Sequence, residues 1–170
     1  MRDLNISFVG GGNMARSIIG GLIENGIESR LIRVGEPDLV RRQELIADFG
    51  IKPFVDNFSA IKDSDVVIFA VKPQIIRDVI FPLARYLIET KSLLLSIAAG
   101  ISIKNIESWV SQDTAIVRAM PNSASLVRGG ITALCSNSKT SPEQLDRAES
   151  IMLAIGKTVW LQDEALMNAV

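Results

Sequence analysis

The sequence predicts an α/β fold: a mostly parallel sheet with helices on both faces and a few antiparallel strands after about residue 125. Three observations point there. Short apolar runs alternate with amphipathic stretches from the start of the chain. The apolar runs are hydrophobic at consecutive positions, as in Val66-Val67-Ile68-Phe69-Ala70, which suits strands buried on both faces. Glycine or proline punctuates the boundaries, where neither a helix nor a strand easily continues.

Asn5 to Val9 reads as a first buried strand that runs into glycines. Asn13 to Asn25 has helical spacing, with Met14, Ile18, Gly21 and Leu22 on one face and Asn25-Gly26 as the stop. Leu31 to Val34 is the second strand. Pro37 and Asp38 open a helix that reaches Phe49 and ends at Gly50. A weak strand is expected at Pro53 to Val55, then a short helix capped by Asn57 or Ser59. Asp65 to Val71 is the clearest buried strand. Gln74 to Ile88 is amphipathic, with Pro82 expected to kink or interrupt it. Ser92 to Ala98 is a strand, Ser102 to Val110 a capped helix, and Thr114 to Arg118 a strand ending at Met120-Pro121-Asn122. Gly129 to Cys135 reads as a strand of a different type. Pro142 to Ile155 is a helix stopped by Gly156, Thr158 to Leu161 a last strand, and Asp163 the start of a further helix.

The bulk numbers agree and exclude several functions. The chain has 170 residues, 48% of them hydrophobic and 22% charged, which suits a globular domain with a substantial core. With 18 basic and 19 acidic residues the net charge is -1, so nothing draws it toward nucleic acid or an anionic membrane. There is no histidine, which removes the commonest metal ligand and general base; no metal site or Ser-His-Asp triad is expected. Cys135 stands alone and reads as a buried small apolar residue, and Trp109 and Trp160 as packing residues. The apolar stretch Ser92 to Ile103 is too short to span a bilayer, and the first residues do not form a secretory signal, so a cytoplasmic protein is expected.

The chemistry is concentrated at the strand ends. Gly10-Gly11-Gly12-Asn13-Met14-Ala15 follows the first strand and opens the first helix, the context in which a G-x-G-x-x-G/A turn binds a dinucleotide. Gly10 permits the tight turn, Gly12 lets backbone approach a pyrophosphate, and Ala15 takes the helix-packing position. The helix start offers free N–H groups and the positive end of its dipole. These features define a Rossmann-type unit. Glu36 closes the second strand at roughly the 20-residue separation expected of an acid that binds the adenosine ribose, favouring NADH over NADPH. Arg33, Arg41 and Arg42 lie close enough in sequence to hold a 2′-phosphate instead. Ala70-Val71-Lys72-Pro73 and Ala98-Ala99-Gly100 end two further strands, where a flat ring could lie against the backbone. Lys72 reads as a surface lysine. Arg118, Met120, Pro121, Asn122 and Ser123 form either a wall of a substrate pocket or a loop into the antiparallel part of the sheet.

Taken in order, Phe8-Val9-Gly10-Gly11-Gly12-Asn13-Met14-Ala15, Val71-Lys72-Pro73-Gln74 and Arg118-Ala119-Met120-Pro121-Asn122 resemble the pyrroline-5-carboxylate reductases over essentially the whole chain. The resemblance implies hydride transfer from NAD(P)H to the C=N bond of 1-pyrroline-5-carboxylate, giving proline, the last step of its biosynthesis. It implies that Gly10 to Ala15 hold the pyrophosphate, that Glu36 and Asn57 face the adenosine ribose, and that Ala70 to Pro73 and Ala98 to Gly100 line the nicotinamide. Met120, Pro121 and Asn122 would wall the substrate pocket. Two departures stand out: Glu36-Pro37 where many members carry a polar or basic residue, and Ser123 where threonine is usual. The resemblance further implies that residues 1–162 are the dinucleotide-binding domain. Residues 163–170 would begin a helix into a C-terminal helical dimerisation domain absent from this chain, so a dimer or larger homo-oligomer is expected only with it. No residue here reads as a catalytic proton donor, and the chain alone is expected to catalyse little. Two other readings remain: a related imine or 2-hydroxy-acid reductase, and a non-catalytic NAD(P)-binding module.

Overall fold

The computed structural model describes residues 3–122, 124–125 and 129–169. Ser123 and Val170 lie outside them. Among the described residues eight strands make one sheet: β1 (Ile6–Val9), β2 (Ile32–Gly35), β3 (Lys52–Phe54), β4 (Val66–Phe69), β5 (Leu93–Ser96), β6 (Ile116–Pro121), β7 (Gly130–Ser136) and β8 (Gly156–Trp160). Their order is β3-β2-β1-β4-β5-β6-β7-β8. Every neighbouring pair is parallel except β6 with β7. The expected antiparallel strands after about residue 125 are β7 and β8, which both run against β1 to β6, and the single antiparallel pairing is β6 with β7. Helix α7 (Pro142–Met152) carries the chain back between β7 and β8, so β8 lies parallel to β7.

Alternation along the strands sorts the core into two layers. Ile6, Phe8, Val34, Val66, Ile68, Leu93, Leu95 and Val117 face α1 (Asn13–Glu24), α2 (Leu39–Phe49) and α7, which contribute Ile18, Ile19, Leu22, Leu45 and Ile151. Val9, Val67, Phe69, Leu94 and Ile116 face α3 (Asn57–Ile61), α4 (Ile76–Ile80), α5 (Ala84–Thr90) and α6 (Ile103–Trp109). Burying each such Leu, Ile or Phe contributes about 1.5–3 kcal/mol relative to exposure. This is why consecutive apolar residues mark the central strands. Cys135 is buried, while Trp109 and Trp160 pack half-buried on opposite layers.

Most helix ends follow local chemistry. Asp38 caps α2 by accepting the Arg41 N–H at 2.9 Å, and Gly50 ends it in the left-handed region at φ 63°. Ser141 with Gln144 and Ser102 with Asn105 form capping boxes on α7 and α6. Asp56 caps α3, accepting the Ser59 N–H at 2.8 Å; Asn57 is the first helical residue, which corrects the expected cap at Asn57 or Ser59. The amphipathic stretch after β4 is interrupted where Pro82 sits, in a 3-10 turn over Phe81–Leu83 between α4 and α5. A 3-10 turn at Ser29–Leu31 delays β2 to Ile32, one residue later than expected. The segment after Asp163 is a 3-10 turn, Glu164–Ala169, rather than an α-helix, and Met167 is fully buried in the domain's own core. Leu166 of the same turn is exposed.

Candidate functional site

The strand order reverses between β1 and β4: β1 is followed outward by β2 and β3 on one side, and by β4, β5 and β6 on the other. A sheet opens a crevice at such a switch point, outside the carboxyl ends of its strands. The glycine turn stands there. Gly10 has φ 97°, and its N–H donates to the Gly35 carbonyl at 2.9 Å. A Cβ at Gly10 would come within 2.8 Å of the Ala70 carbonyl oxygen and 2.9 Å of Val71. One at Gly11 would come within 2.8 Å of Leu45. Packing and backbone conformation therefore demand glycine at Gly10, whereas at Gly11 the Leu45 side chain would have to shift.

Gly12 differs. Its φ of -71° is ordinary, and a Cβ there would meet no atom within 4 Å. It is the N-cap of α1 and makes no side-chain cap bond, so the first-turn N–H groups face the crevice without a side-chain acceptor at that position. Asn13 is exposed, Met14 half-buried, and Ala15 buried in the core. Among the described residues no packing contact excludes a side chain at Gly12. The space and the donors fit an anionic group held close to the backbone.

Glu36 is 3% exposed, not the solvated acid its charge suggests. One carboxylate oxygen accepts the Gly11 N–H at 2.9 Å and the other the Asp38 N–H at 3.0 Å. The residue thus ties the end of β2 to the glycine turn. Asn57 sits against the same strand end, close enough to Gly35 that only a glycine fits there. The three nearby arginines separate cleanly. Arg33 donates to the Lys62 carbonyl, and Arg42 to the carbonyls of Glu36 and Pro37. Arg41 stays 57% exposed, with its guanidinium 3.8 Å from the Glu36 carboxylate.

Across the switch point, Ala70 and Val71 are half-buried against the turn, Lys72 is exposed and Pro73 half-buried. Ala98 is buried, and Ala99 and Gly100 are exposed at the end of the segment following β5. Met120 and Pro121 are half-buried at the end of β6. Asn122 is exposed, yet its side-chain carbonyl accepts the Ile131 N–H at 3.3 Å and so braces the turn into β7. The structure brings the glycine turn, Glu36 and Asn57 together at one end of the crevice. The segments at Ala70, Ala98 and Met120 follow strand by strand toward the other. A cavity of about 720 Å3, lined by Arg30, Arg33, Lys52 and Lys62, lies apart from this crevice, beside the amino end of β2.

One contributor, Glu164, is not singled out by the sequence, and Arg118 is placed differently from its expected position. Arg118, grouped with the exposed strand end, is buried in the sheet and pairs with Glu164 at 2.8 Å, their side chains 4% and 25% exposed. Glu164 belongs to a segment that reads only as a helix start. Its partner lies 46 residues away, so no local pattern announces the pair.

Fold and crevice define a Rossmann-type α/β domain. Residues 5–100, more than half of the chain, match the family described as NADP oxidoreductase, coenzyme F420-dependent, and the chain belongs to that family. It is 39% identical over 170 residues to a pyrroline-5-carboxylate reductase of Pseudomonas aeruginosa, covering 100% of this chain and 62% of that protein. The solved pyrroline-5-carboxylate reductase of Coxiella burnetii superposes with a TM-score of 0.95 at 41% identity, covering 97% of this chain and 61% of the other. The pyrroline carboxylate reductase of Plasmodium falciparum, solved with NADP bound, gives 0.86 at 25% identity, covering 99% and 61%. The chain spans about 62% of the length of the curated relatives it matches.

Proposed function

We propose that this chain is the cofactor-binding domain of a pyrroline-5-carboxylate reductase, an enzyme that reduces the C=N bond of 1-pyrroline-5-carboxylate to give proline. The observation that carries the reading is Gly12. No packing contact among the described residues excludes a side chain there, and Gly12 opens a helix start without a side-chain cap onto the switch-point crevice. The reductase relatives supply the substrate class, over the full length of this chain.

In this reading the first-turn N–H groups of α1 hold the pyrophosphate, and Glu36 and Asn57 face the adenosine ribose. Ala70, Val71, Lys72, Pro73, Ala98, Ala99 and Gly100 flank the nicotinamide, and Met120, Pro121 and Asn122 wall the imino-acid pocket. When bound, the cofactor supplies the hydride; the chain's task is to fix its orientation and exclude competing geometries. NADH is favoured over NADPH, because a buried carboxylate at the β2 end opposes a 2′-phosphate. Arg41, alone of the three nearby arginines in keeping its guanidinium off a backbone carbonyl, supplies the countercharge that keeps NADPH acceptable. The single buried cysteine suits a cytoplasmic enzyme.

Residues 1–162 act as the dinucleotide-binding domain, and residues 163–170 lead toward the helical region that the relatives' additional length provides. That region supplies the homo-oligomer interface and the remaining catalytic groups. The test is a chimera in which the remaining length of the Pseudomonas aeruginosa relative follows Val170. NADH-dependent reduction of pyrroline-5-carboxylate is expected from the chimera and little or none from the 170 residues alone. A chimera that binds NADH but is silent toward this substrate, while reducing 2-keto acids, would contradict the assignment.

A further inference from the structure

One carboxylate oxygen joins three separate elements at the end of the crevice far from Glu36. Glu164 Oε1 accepts from the Arg118 guanidinium at 2.8 Å and from the Ile103 N–H at 2.9 Å. Arg118 belongs to β6, in register with Ser96 of β5 and Cys135 of β7, and runs toward Met120 and Pro121. Ile103 is the first residue of α6, three residues beyond Gly100, whose φ of 74° turns the chain out of β5. Glu164 lies in the final 3-10 turn, held by the Ala165 N–H on the Asp163 carboxylate and anchored by the fully buried Met167.

The electrostatics penalise losing one partner of this junction alone. Arginine keeps its charge at all accessible pH. Here its side chain is 4% exposed, its Nε has no hydrogen-bond partner among the described residues, and Met120 Sδ lies 3.8 Å from the guanidinium. Removing Glu164 would leave a buried cation without its countercharge, and Arg118 could regain hydration only by displacing the end of β6. It would also release the N–H that fixes the segment from Ala98 to Ile103.

We propose that Arg118 and Glu164 are a positioning pair. Together they set the β5–α6 segment and the end of β6 for the nicotinamide half of the cofactor, without touching the adenosine half. The inference rests on the cofactor-binding reading above. The adenosine end is built on β1, β2 and α3, and β4 and β5 stand between β1 and β6.

The experiment is calorimetric titration of the chain with NADH and with ADP-ribose, which lacks the nicotinamide, for the wild type, Glu164→Gln and Glu164→Ala. Glu164→Ala is expected to weaken NADH about tenfold while ADP-ribose stays within about twofold, because one charge-assisted contact is lost at one end only. Glu164→Gln should fall between, since its amide oxygen still receives the Ile103 N–H. Should Glu164→Ala fail to fold, the double variant Arg118→Met/Glu164→Met removes the pair without stranding a charge and must show the same NADH-selective loss. Equal weakening of both ligands, or unchanged NADH binding, overturns the inference. A wild type that binds neither ligand overturns the cofactor-binding reading itself, and the inference with it.

Discussion

Alanine at Gly10 would force a methyl group onto the Ala70 carbonyl from a backbone at φ 97°, whereas alanine at Gly12 would meet open space. The two substitutions should therefore divide stability from binding. Gly10→Ala is expected to cost about 1–3 kcal/mol in urea unfolding, as strained φ values do. Gly12→Ala should unfold like the wild type yet weaken NADH about tenfold or more, by displacing backbone from the pyrophosphate. Normal NADH affinity in Gly12→Ala would remove the argument from that glycine. The glycine turn and Glu36 were legible as a pattern and a spacing. Burial of Glu36 was not, because its partner Gly11 lies 25 residues earlier and the bond exists only once β1 and β2 pair. Cys135 was legible for a simpler reason. It sits among apolar neighbours, and burial pushes its thiol above the usual range, so it is poorly placed to act as a nucleophile.

Among the elements, α3 presents Asn57 to the crevice, and it is only five residues long. Such a helix depends on its cap and its packing rather than on propensity. Asp56 supplies the cap, and the Ser59 N–H that it accepts holds its carboxyl below the usual range. A lowered pKa stabilises the fold above the unfolded carboxyl's pKa, and that contribution is lost as pH falls through the lowered value. The melting temperature of Asp56→Ala should thus lie below the wild type's at neutral pH, with the gap closing in acid below about pH 4. A gap that persists unchanged in acid would mean that the charge is not what caps α3. The sequence pointed to a cap at Asn57 or Ser59, and the structure places it one residue earlier at Asp56, another capping residue type within the same turn. Pro82 was read correctly as an interruption, because a missing N–H acts locally. That strands after about residue 125 run against the others was readable; the parallel pairing of β8 with β7 was not, since it depends on where the α7 crossover returns the chain.

At the scale of the whole molecule, the sheet order places the crevice segments at the carboxyl ends of neighbouring strands, from Glu36 just past β2 to Met120 on β6. The alternation of strands and helices announced this layout. The Arg118–Glu164 junction it could not announce, because a long-range ion pair leaves no periodic trace. Arg41 stands 3.8 Å from the Glu36 carboxylate, and in the proposed reading the carboxylate opposes and the guanidinium draws a 2′-phosphate as one unit. The central claim is that these 170 residues carry a dinucleotide site, and calorimetric titration with NADH and NADPH at one salt concentration tests it most directly. Saturable binding of both is expected, with NADH the tighter and Arg41→Ala weakening NADPH alone. Failure to bind either cofactor, by a chain shown to be folded, would contradict the account.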